Sequence, residues 1–189
     1  MHQRHGKGKP GFDAVLCAAR AHEAWALGHL YTTLAPAVAG FLRLQHAAEP
    51  DDLTNEVFVG VLRNLGTFRG DEANFRSWVF TIAYRRLTDE RRAAGRRPVV
   101  QSLDDAPELV DPTDVEAEVE RVLATQRVRA LCDALSPPQR DVLLLRLVGR
   151  MTIDEIAQVV GRSRGAVKAL QRRGLAAMAC DAEREGVPL

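Results

Sequence analysis

The chain has 189 residues, a formal net charge of +1 at pH 7 and 46% hydrophobic residues. This length suits one domain or two small ones, and the apolar content is enough for packed cores. No run of about 18 apolar residues occurs, so we expect no membrane insertion, and the near-neutral charge does not by itself indicate a nucleic-acid ligand.

The first part of the chain is predicted to be a basic tail followed by a long helical region. Residues 1–12 are polar and basic and lack the apolar segment of a signal peptide, so we expect a disordered tail. Apolar residues with helical spacing run from Asp13 to about Ala48. Pro36 lies inside this pattern and is expected to break or kink the helix.

The next two segments are predicted to be helices of different surface character. The first follows Pro50, carries two acids near its positive end and an apolar stripe, and ends at Gly66. The second follows a polar loop over residues 67–73, with Asn74 as its predicted N-cap. The second half of this helix and the residues just after it contain six arginines and only two acids. Arginines beside aromatic rings suit unpaired bases, although we expect Trp78 to be buried.

An acidic segment separates this basic helix from the rest of the chain. Between Pro98 and Glu120 there are eight acids and no basic residue. The like charges along such a stretch repel one another, so we expect a flexible linker over residues 98–114. Helical spacing returns near Val115. It restarts after Ser136, which is predicted to cap a helix with a proline at its first position.

A helix-turn-helix is predicted from the sequence TIDEIAQVVGRSRGAVKALQRR, which begins at Thr152. Thr152 and Glu155 can form a capping box at the start of the first helix. Gly161 supplies a left-handed stop, and Ser163 can cap the second helix. Two helices joined by so short a turn cross steeply, which is the shape of this motif.

The second helix of the motif is strongly basic. Five positive charges and no acid fall between Arg162 and Arg173. A cationic helix that projects from such a turn suits the major groove of DNA. A solvated basic face on an ordinary helical hairpin is the alternative. The cap, the turn glycine and the basic helix in one register favour DNA binding.

The chain is therefore predicted to be all-α, with two small helical domains joined by a flexible acidic linker. The expected division is a basic tail over 1–12, a first domain over 13–97, the linker over 98–114, a second domain over 115–182 and a tail over 183–189. The three cysteines, Cys17, Cys132 and Cys180, are far apart and odd in number. We expect them to be reduced thiols in a cytoplasmic protein.

The order of these motifs resembles that of the extracytoplasmic-function (ECF) sigma factors. These are the small two-domain members of the sigma-70 family of bacterial RNA polymerase initiation factors. Similarity to the family's second conserved region lies in DDLTNEVFVGVLRNLGTFRG and WVFTIAYRRLTDERR. Similarity to its fourth lies in ALSPPQRDVLLLRLVGRMTIDEIAQVVGRSRGAVKALQRRGLAAM. The resemblance covers about residues 13–180 and implies that the two domains are sigma region 2 and sigma region 4.

The resemblance implies a role in transcription initiation rather than catalysis. A sigma factor binds core RNA polymerase and directs it to promoters by recognising the −35 and −10 elements and stabilising melted −10 DNA. Region 2 is implied to dock on the clamp helices of the largest polymerase subunit, and region 4 on the flap. No cofactor and no metal are implied, and an anti-sigma factor is allowed as a further partner.

Three groups of residues match functional segments of the family. The group implied to bind core polymerase comprises Asp52, Leu53, Glu56, Val57, Phe58 and Leu62. The group implied to contact the −10 DNA comprises Arg69, Asn74, Phe75, Arg85, Arg86 and Asp89. The group implied to contact the −35 DNA comprises Ser163, Arg164, Gly165, Lys168, Arg172 and Arg173. Two positions depart from common family forms: Arg85 replaces an asparagine, and Leu170 an arginine.

Functions from other classes remain as alternatives. A helix-turn-helix transcriptional regulator that is not a polymerase subunit would explain residues 136–178. It would leave the basic helix after Asn74 and the acidic linker unexplained. A helical protein-interaction bundle would not redirect transcription by core polymerase. An enzyme is not expected, because the five histidines lack metal-motif spacing and no phosphate-binding loop or nucleophile motif occurs.

Overall fold

The structure, a computed structural model, describes residues 11–94 and 125–184. Within these ranges the chain is helical and has no strand, which confirms the predicted all-α class. The predicted linker and the boundaries on either side of it lie outside the described residues, so the exact domain limits stay predictions. No helix in the described ranges is long and apolar enough to cross a bilayer.

The described residues form two helical modules. The first module, residues 11–94, contains α1 (Phe12–Arg20), α2 (Ala24–Leu44), α3 (Pro50–Asn64) and α4 (Glu72–Ala94). The second module, residues 125–184, contains α5 (125–133), α6 (Pro137–Leu147), α7 (Ile153–Val160) and α8 (Arg164–Arg184). Helix α1 begins in the last residue of the predicted N-terminal tail, and α8 continues two residues into the predicted C-terminal tail.

The long helical pattern near the N-terminus folds as two helices, α1 and α2. The chain turns between them at His22, whose φ is +60°. Helix α2 continues through Pro36, so of the two expected outcomes, a break or a kink, the proline does not cause a break. A proline inside a helix removes one backbone hydrogen bond. Leu34 and Val38, on either side of it, are buried in the core, and their packing keeps the helix in place.

Aromatic side chains on facing helices form the centre of the first module. Phe41 of α2 and Phe80 of α4 are fully buried, with ring centroids 5.5 Å apart in an edge-to-face arrangement. Val57 and Val61 of α3 are also fully buried and complete the core between α2 and α4. Each such side chain stabilises the fold by about 1.5–3 kcal/mol relative to an exposed one.

Local caps and close helix crossing shape the second module. The Ser136 backbone N–H donates to the Gln139 side-chain oxygen at 3.0 Å, at the predicted start of α6, where Pro137 occupies the first helical position. Helix α8 then packs across α6 at Gly174, which is buried. The three cysteines are free, with Cys132 buried and the other two exposed.

The two modules touch each other directly. Helix α4 of the first module lies against α7 of the second, and the buried apolar residues of both modules form one continuous cluster. Arg76 of α4 donates through Nη2 to the Val148 carbonyl oxygen at 2.6 Å. Gly149 lies so close to Phe80 that an added Cβ would be 3.3 Å from the ring. The described structure is therefore a closed arrangement of the two modules.

The crossing of α6 and α8 gives a test of the second module. A Cβ added at Gly174 would lie 2.7 Å from Leu143 Cδ1, and Leu143 is buried and has little room to move. We expect Gly174→Ala to lower the free energy of unfolding by about 1–3 kcal/mol through overpacking. Urea denaturation followed by circular dichroism measures the change.

The control for this substitution is Gly40→Ala in α2. An added Cβ at Gly40 meets no atom within 4 Å. We expect this change to raise the free energy of unfolding by up to about 1 kcal/mol, since alanine favours helix over glycine. Equal effects of the two substitutions would contradict the close crossing at Gly174.

Candidate nucleic-acid interface

The predicted helix-turn-helix is present with its predicted caps. The Glu155 N–H donates to Thr152 Oγ1 at 3.3 Å, and the Thr152 N–H donates to Glu155 Oε2 at 2.7 Å. Gly161 ends α7 in the left-handed conformation, with φ +65°. Ser163 Oγ accepts from the Ala166 N–H at 3.2 Å at the start of α8. These hydrogen bonds connect residues at most three apart, which is why the sequence predicts them.

A small core fixes the orientation of α8. Met151, Ile156 and Val167 are fully buried, and Ala157 is nearly so, where α7 and α8 cross. The Arg146 side chain donates to the Met151 carbonyl oxygen at 2.6 Å and holds the turn before α7. The apolar side of α8 therefore faces inward, and its basic side faces out.

All six residues of the predicted −35 group are exposed around the start and along one face of α8. They are Ser163, Arg164, Gly165, Lys168, Arg172 and Arg173. Ser163 serves as the helix cap described above. Arg164 Nε lies 2.7 Å from Asp154 Oδ1 of α7, and both side chains are more than half exposed. Because an exposed ion pair contributes little stability, Arg164 can exchange this partner for a phosphate.

Half of the predicted −10 group comes together at one cavity. Arg69, Asn74 and Arg85 line a cavity of about 630 Å³ between α4 and α7, with Trp78 on the same wall. Trp78 is half-buried, so the expectation that it is buried holds only in part. A cationic rim and a partly accessible aromatic ring are the features that favour unpaired bases.

Two exposed members of the −10 group, Arg86 and Asp89, lie outside the lining of this cavity. Asp89 is exposed one helical turn beyond Arg85 and pairs with Arg92 at 3.2 Å. Arg86 Nη1 lies 3.7 Å from Glu56 Oε2 of α3, so a predicted −10 residue touches a predicted polymerase residue. Both pairs are largely exposed and contribute little stability.

Phe75 does not fit the prediction that it contacts DNA directly. Its side chain is only 1% exposed. Its ring packs against Phe12 at 5.5 Å, Phe68 at 5.2 Å and Trp78 at 5.7 Å between centroids. The physical reason is that this large ring sits on the core side of α4. Phe75 supports the cavity wall from behind, through Trp78.

The start of α4 also differs from the prediction. Asp71, rather than Asn74, precedes the helix and accepts from the Asn74 N–H at 2.8 Å. The Asn74 side-chain oxygen accepts in return from the Asp71 N–H at 3.2 Å. Gly70 has φ +142°, and a Cβ there would lie 2.7 Å from the Asn74 Cβ. This reciprocal pair fixes Asn74 at the edge of the cavity.

Two arginines hold the loop between α3 and α4. Arg69 Nη1 donates to the Gly66 and Phe68 carbonyl oxygens, both at 2.7 Å. Arg20 of α1 donates to the Phe68 oxygen at 2.5 Å and to the Leu65 oxygen at 3.4 Å. Sequence reasoning missed Arg20, because no local pattern links it to a loop more than forty residues away.

The predicted polymerase-binding group divides between surface and core. The exposed members are Asp52, Glu56 and Leu62. The buried members are Leu53, Val57 and Phe58. The prediction of direct contact does not fit these three, because they form the core side of α3. Sequence reasoning missed Tyr31 and Val59, which are 41% and 45% exposed. The Tyr31 ring packs on Phe58 at 4.8 Å between centroids and extends this partly apolar surface.

Within the described ranges, no group of three or more His, Cys, Asp or Glu side chains is placed so that it could hold a metal ion.

The capping box gives a prediction about pH. Burial by itself raises the pKa of Glu155, but hydrogen bonds from Thr152 and Ser77 and the charge of Arg146 together hold it below its ordinary value of 4.5. A carboxylate with a lowered pKa in the folded state stabilises the fold above its ordinary pKa. That stabilisation is lost as the pH falls through the lowered value. We expect the free energy of unfolding of Glu155→Gln to fall less than that of the wild type between about pH 6 and pH 3. Urea denaturation at a series of pH values measures it.

The control is Asp13→Asn, an exposed carboxyl in the first turn of α1. This variant should keep the wild-type loss of stability in acid that arises at the capping box. If Glu155→Gln and the wild type have the same pH dependence, the carboxylate does not stabilise the box.

The arginine contacts on the α3–α4 loop give a second prediction. Arg20 reaches the two carbonyl oxygens with two nitrogens, Nε and Nη2, in a rigid fork, whereas lysine has a single nitrogen. We expect Arg20→Lys to speed amide hydrogen exchange in residues 65–70 about tenfold, the effect of losing one hydrogen bond to a charged group. Mass spectrometry of exchanged peptides measures it. Arg43→Lys, at a surface ion pair with Asp51, should leave the loop unchanged.

Comparison with known proteins identifies the family to which the chain is similar. The family pattern described as Sigma-70 region 2 matches residues 30–97, and the pattern described as Sigma-70, region 4 matches residues 125–178. The first match lies on α2 to α4 and so includes the first module's side of the cavity. The second lies on α5 to α8, which carry the helix-turn-helix.

Individual relatives agree with these patterns. The chain is 34% identical over 167 residues to the ECF RNA polymerase sigma factor BldN of Streptomyces coelicolor, covering 85% of this chain and 62% of that protein. It thus spans less than two thirds of the length of BldN. It is also 34% identical over 138 residues to the ECF RNA polymerase sigma factor ShbA of Streptomyces griseus, covering 70% of this chain and 71% of that protein.

A solved structure shares the fold. It is the sigma factor RpoE from Bartonella quintana in complex with the anti-sigma factor NepR, with a TM-score of 0.60. The identity is 18%, and the match covers 80% of this chain and 92% of that one, so it supports the fold alone. Both region patterns lie on the modules that the resemblance assigned to them. The chain and ShbA are identical at 34% of the aligned residues. The chain therefore belongs to the sigma-70 family of RNA polymerase initiation factors, as an ECF sigma factor.

Proposed function

We propose that this chain is a dissociable subunit of RNA polymerase that directs the enzyme to promoters. In this role it binds core polymerase, recognises the −35 and −10 elements and stabilises melted −10 DNA. The proposal places the chain in the cytoplasm and assigns it no chemical step, since RNA synthesis stays with the polymerase. The observation that carries the proposal is the pair of sigma regions, each on a module with its own cationic surface.

The second module is the proposed reader of duplex −35 DNA. Arg164, Lys168, Arg172 and Arg173 are exposed on α8, the second helix of the helix-turn-helix. Such a helix enters the major groove, where its side chains reach base edges and phosphates. Contacts to phosphates position the module on the duplex, and contacts to base edges supply sequence preference.

The first module is the proposed binding site for the melted −10 strand. Its wall of the cavity offers Arg69 and Arg85 to phosphates and the accessible part of Trp78 to a base. A protein that binds only the unpaired state shifts the equilibrium toward melting by its differential affinity. Polymerase would hold both modules at a fixed separation, so that binding at one element raises the effective concentration at the other.

The proposed partners use other surfaces of the same modules. The exposed face of α3, with Asp52, Glu56 and Leu62, is proposed to dock on the clamp helices of the largest polymerase subunit. Tyr31 and Val59 extend this face and supply apolar contact area. The second module is proposed to dock on the flap. An anti-sigma factor is a further proposed partner, since the structural neighbour RpoE is bound to one.

A helix-turn-helix regulator that acts without polymerase was the alternative function. It does not account for the sigma region 2 pattern over residues 30–97. It also leaves no role for the cavity beside α4. We therefore propose only the sigma-factor function.

Transcription with purified components tests this function. Core polymerase plus this chain, supplied with a pool of genomic promoter fragments, should start transcripts at a defined set of positions that core polymerase alone does not use. Sequencing of the RNA 5′ ends measures the starts. Failure to bind core polymerase, or binding without new start positions, would rule out the proposal.

A substitution on α8 tests the −35 assignment. We expect Lys168→Ala to reduce transcription from such a promoter about tenfold, because one groove or phosphate contact contributes about 1–3 kcal/mol. Arg127→Ala, at an exposed arginine of α5, is the control and should have little effect. On a promoter with a scrambled −35 element, Lys168→Ala should cause little further loss. A full additional loss would show that Lys168 acts elsewhere.

A further inference from the structure

An acid of the helix-turn-helix pairs with the first residue of its basic helix. Asp154 lies in the first turn of α7, and its Oδ1 atom is 2.7 Å from Nε of Arg164, where α8 begins. The Asp154 side chain is 56% exposed and the Arg164 side chain 67%. The pair therefore joins the N-terminal ends of the two helices at the surface of the motif.

The backbone on both sides of this pair is fixed. The capping box of Thr152 holds the start of α7, and Ser163 caps α8. Val167 is fully buried where the two helices cross. An aspartate side chain is short, whereas an arginine side chain is long and has many rotamers. Asp154 is therefore the anchored member of the pair, and Arg164 is the member whose orientation the contact decides.

The contact leaves the far end of the guanidinium accessible to a ligand. This group is planar and carries its N–H donors in a rigid fork. Because Nε points at Asp154, a ligand would meet the end formed by Nη1 and Nη2. In the major groove guanine presents two neighbouring acceptors, O6 and N7, which suit such a pair of donors. Adenine presents N7 beside an N–H donor, so it accepts only one of them.

Arg164 also occupies the position from which such a helix reads bases. In a helix-turn-helix the N-terminal residues of the second helix contact base edges, whereas the first helix crosses the DNA backbone. Arg164 is the first residue of α8, and Arg172 lies about two helical turns further along. This location favours a base contact for Arg164.

The negative charge of Asp154 has opposite effects on affinity and on base preference. DNA phosphates attract the five basic residues between Arg162 and Arg173 and repel an acid beside them. Asp154 therefore lowers the affinity for DNA of any sequence. When the groove excludes water from the pair, the attraction between the carboxylate and the guanidinium becomes stronger. Arg164 then stays oriented, which lowers the conformational cost of a contact with one base.

We propose that Asp154 determines part of the base preference of this chain, because it orients Arg164 so that Nη1 and Nη2 donate to a guanine in the −35 element. Asp154 is a positioning residue, since it acts on DNA through Arg164. The −35 element as the ligand rests on the proposed function. The competing outcome is that Arg164 exchanges Asp154 for a phosphate, which would supply affinity without base preference.

Transcription from a promoter library identifies the base that Arg164 reads. A promoter found by mapping transcript starts is varied at each position of its −35 element, and each version carries its own transcribed tag. Core polymerase plus the chain transcribes the pool, and sequencing of the tags measures the use of each base. We expect the parent chain to prefer guanine about tenfold at one position, the discrimination of one bidentate contact. Arg164→Ala should remove this preference and leave the other positions unchanged.

Asp154→Ala tests the positioning role in the same library. We expect the guanine preference at that position to fall from about tenfold to about threefold or less. Promoters with other bases there should be used at least as well as by the parent chain, since a negative charge is lost. Asp154→Glu keeps a carboxylate and should restore part of the preference. If Asp154 acted only on the dipole of α7, its loss would lower the use of all promoters alike.

The control is Asp181→Ala, which removes the same charge from the same module. Asp181 lies on α8, about 25 Å along the helix from Arg164. This variant should keep the parent's guanine preference, so a change seen with Asp154→Ala alone comes from the pair and not from net charge.

Selection of randomised duplex DNA by the chain alone separates this inference from the proposed function. If the chain directs no specific transcripts, but selects a guanine that depends on Arg164 and Asp154, the proposed function fails and the positioning role stands. In either experiment, two results would overturn the positioning role. One is a guanine preference that Asp154→Ala leaves unchanged, and the other is an equal effect of Arg164→Ala on all sequences.

Discussion

The burial of Phe80 in α4 is the interaction on which the rest of the structure depends. Its ring packs edge-on against Phe41 of α2, and the Arg76 guanidinium carbon lies 5.3 Å from its centre. Gly149 of the second module lies on it so closely that a side chain there would meet the ring. One buried aromatic ring thus fixes α4 in the first module and forms part of the surface on which the second module rests.

The distribution of charge around α4 matters more than the net charge of the chain. The total is only +1, because acids elsewhere balance the basic surfaces of α4 and α8. Along α4, Arg85 lines the cavity, whereas Arg91 is directed into the contact with Asp141. Two arginines on one helix therefore serve different ends: one remains available to a ligand, and the other joins the modules.

The parts of the fold that the sequence predicts correctly are those set by short-range hydrogen bonds. Thr152 with Glu155, and Gly161 at the end of α7, follow from residue type and spacing alone. The failures occur where packing decides. Phe75, for example, packs in the core rather than at an accessible surface. Helical spacing identifies an apolar stripe but does not show which aromatic residue at its edge remains accessible.

The sequence by itself determined the helical class, the helix-turn-helix and the family, because these depend on local patterns and their order. Only the tertiary structure decided how distant residues meet. Arg20 reaches Phe68, 48 positions away, and Tyr84 reaches Asp141, 57 positions away. No rule of spacing links such pairs, since they meet only after several helices have packed. The cavity between α4 and α7, and the packing of the two modules against each other, arise from contacts of this long-range kind.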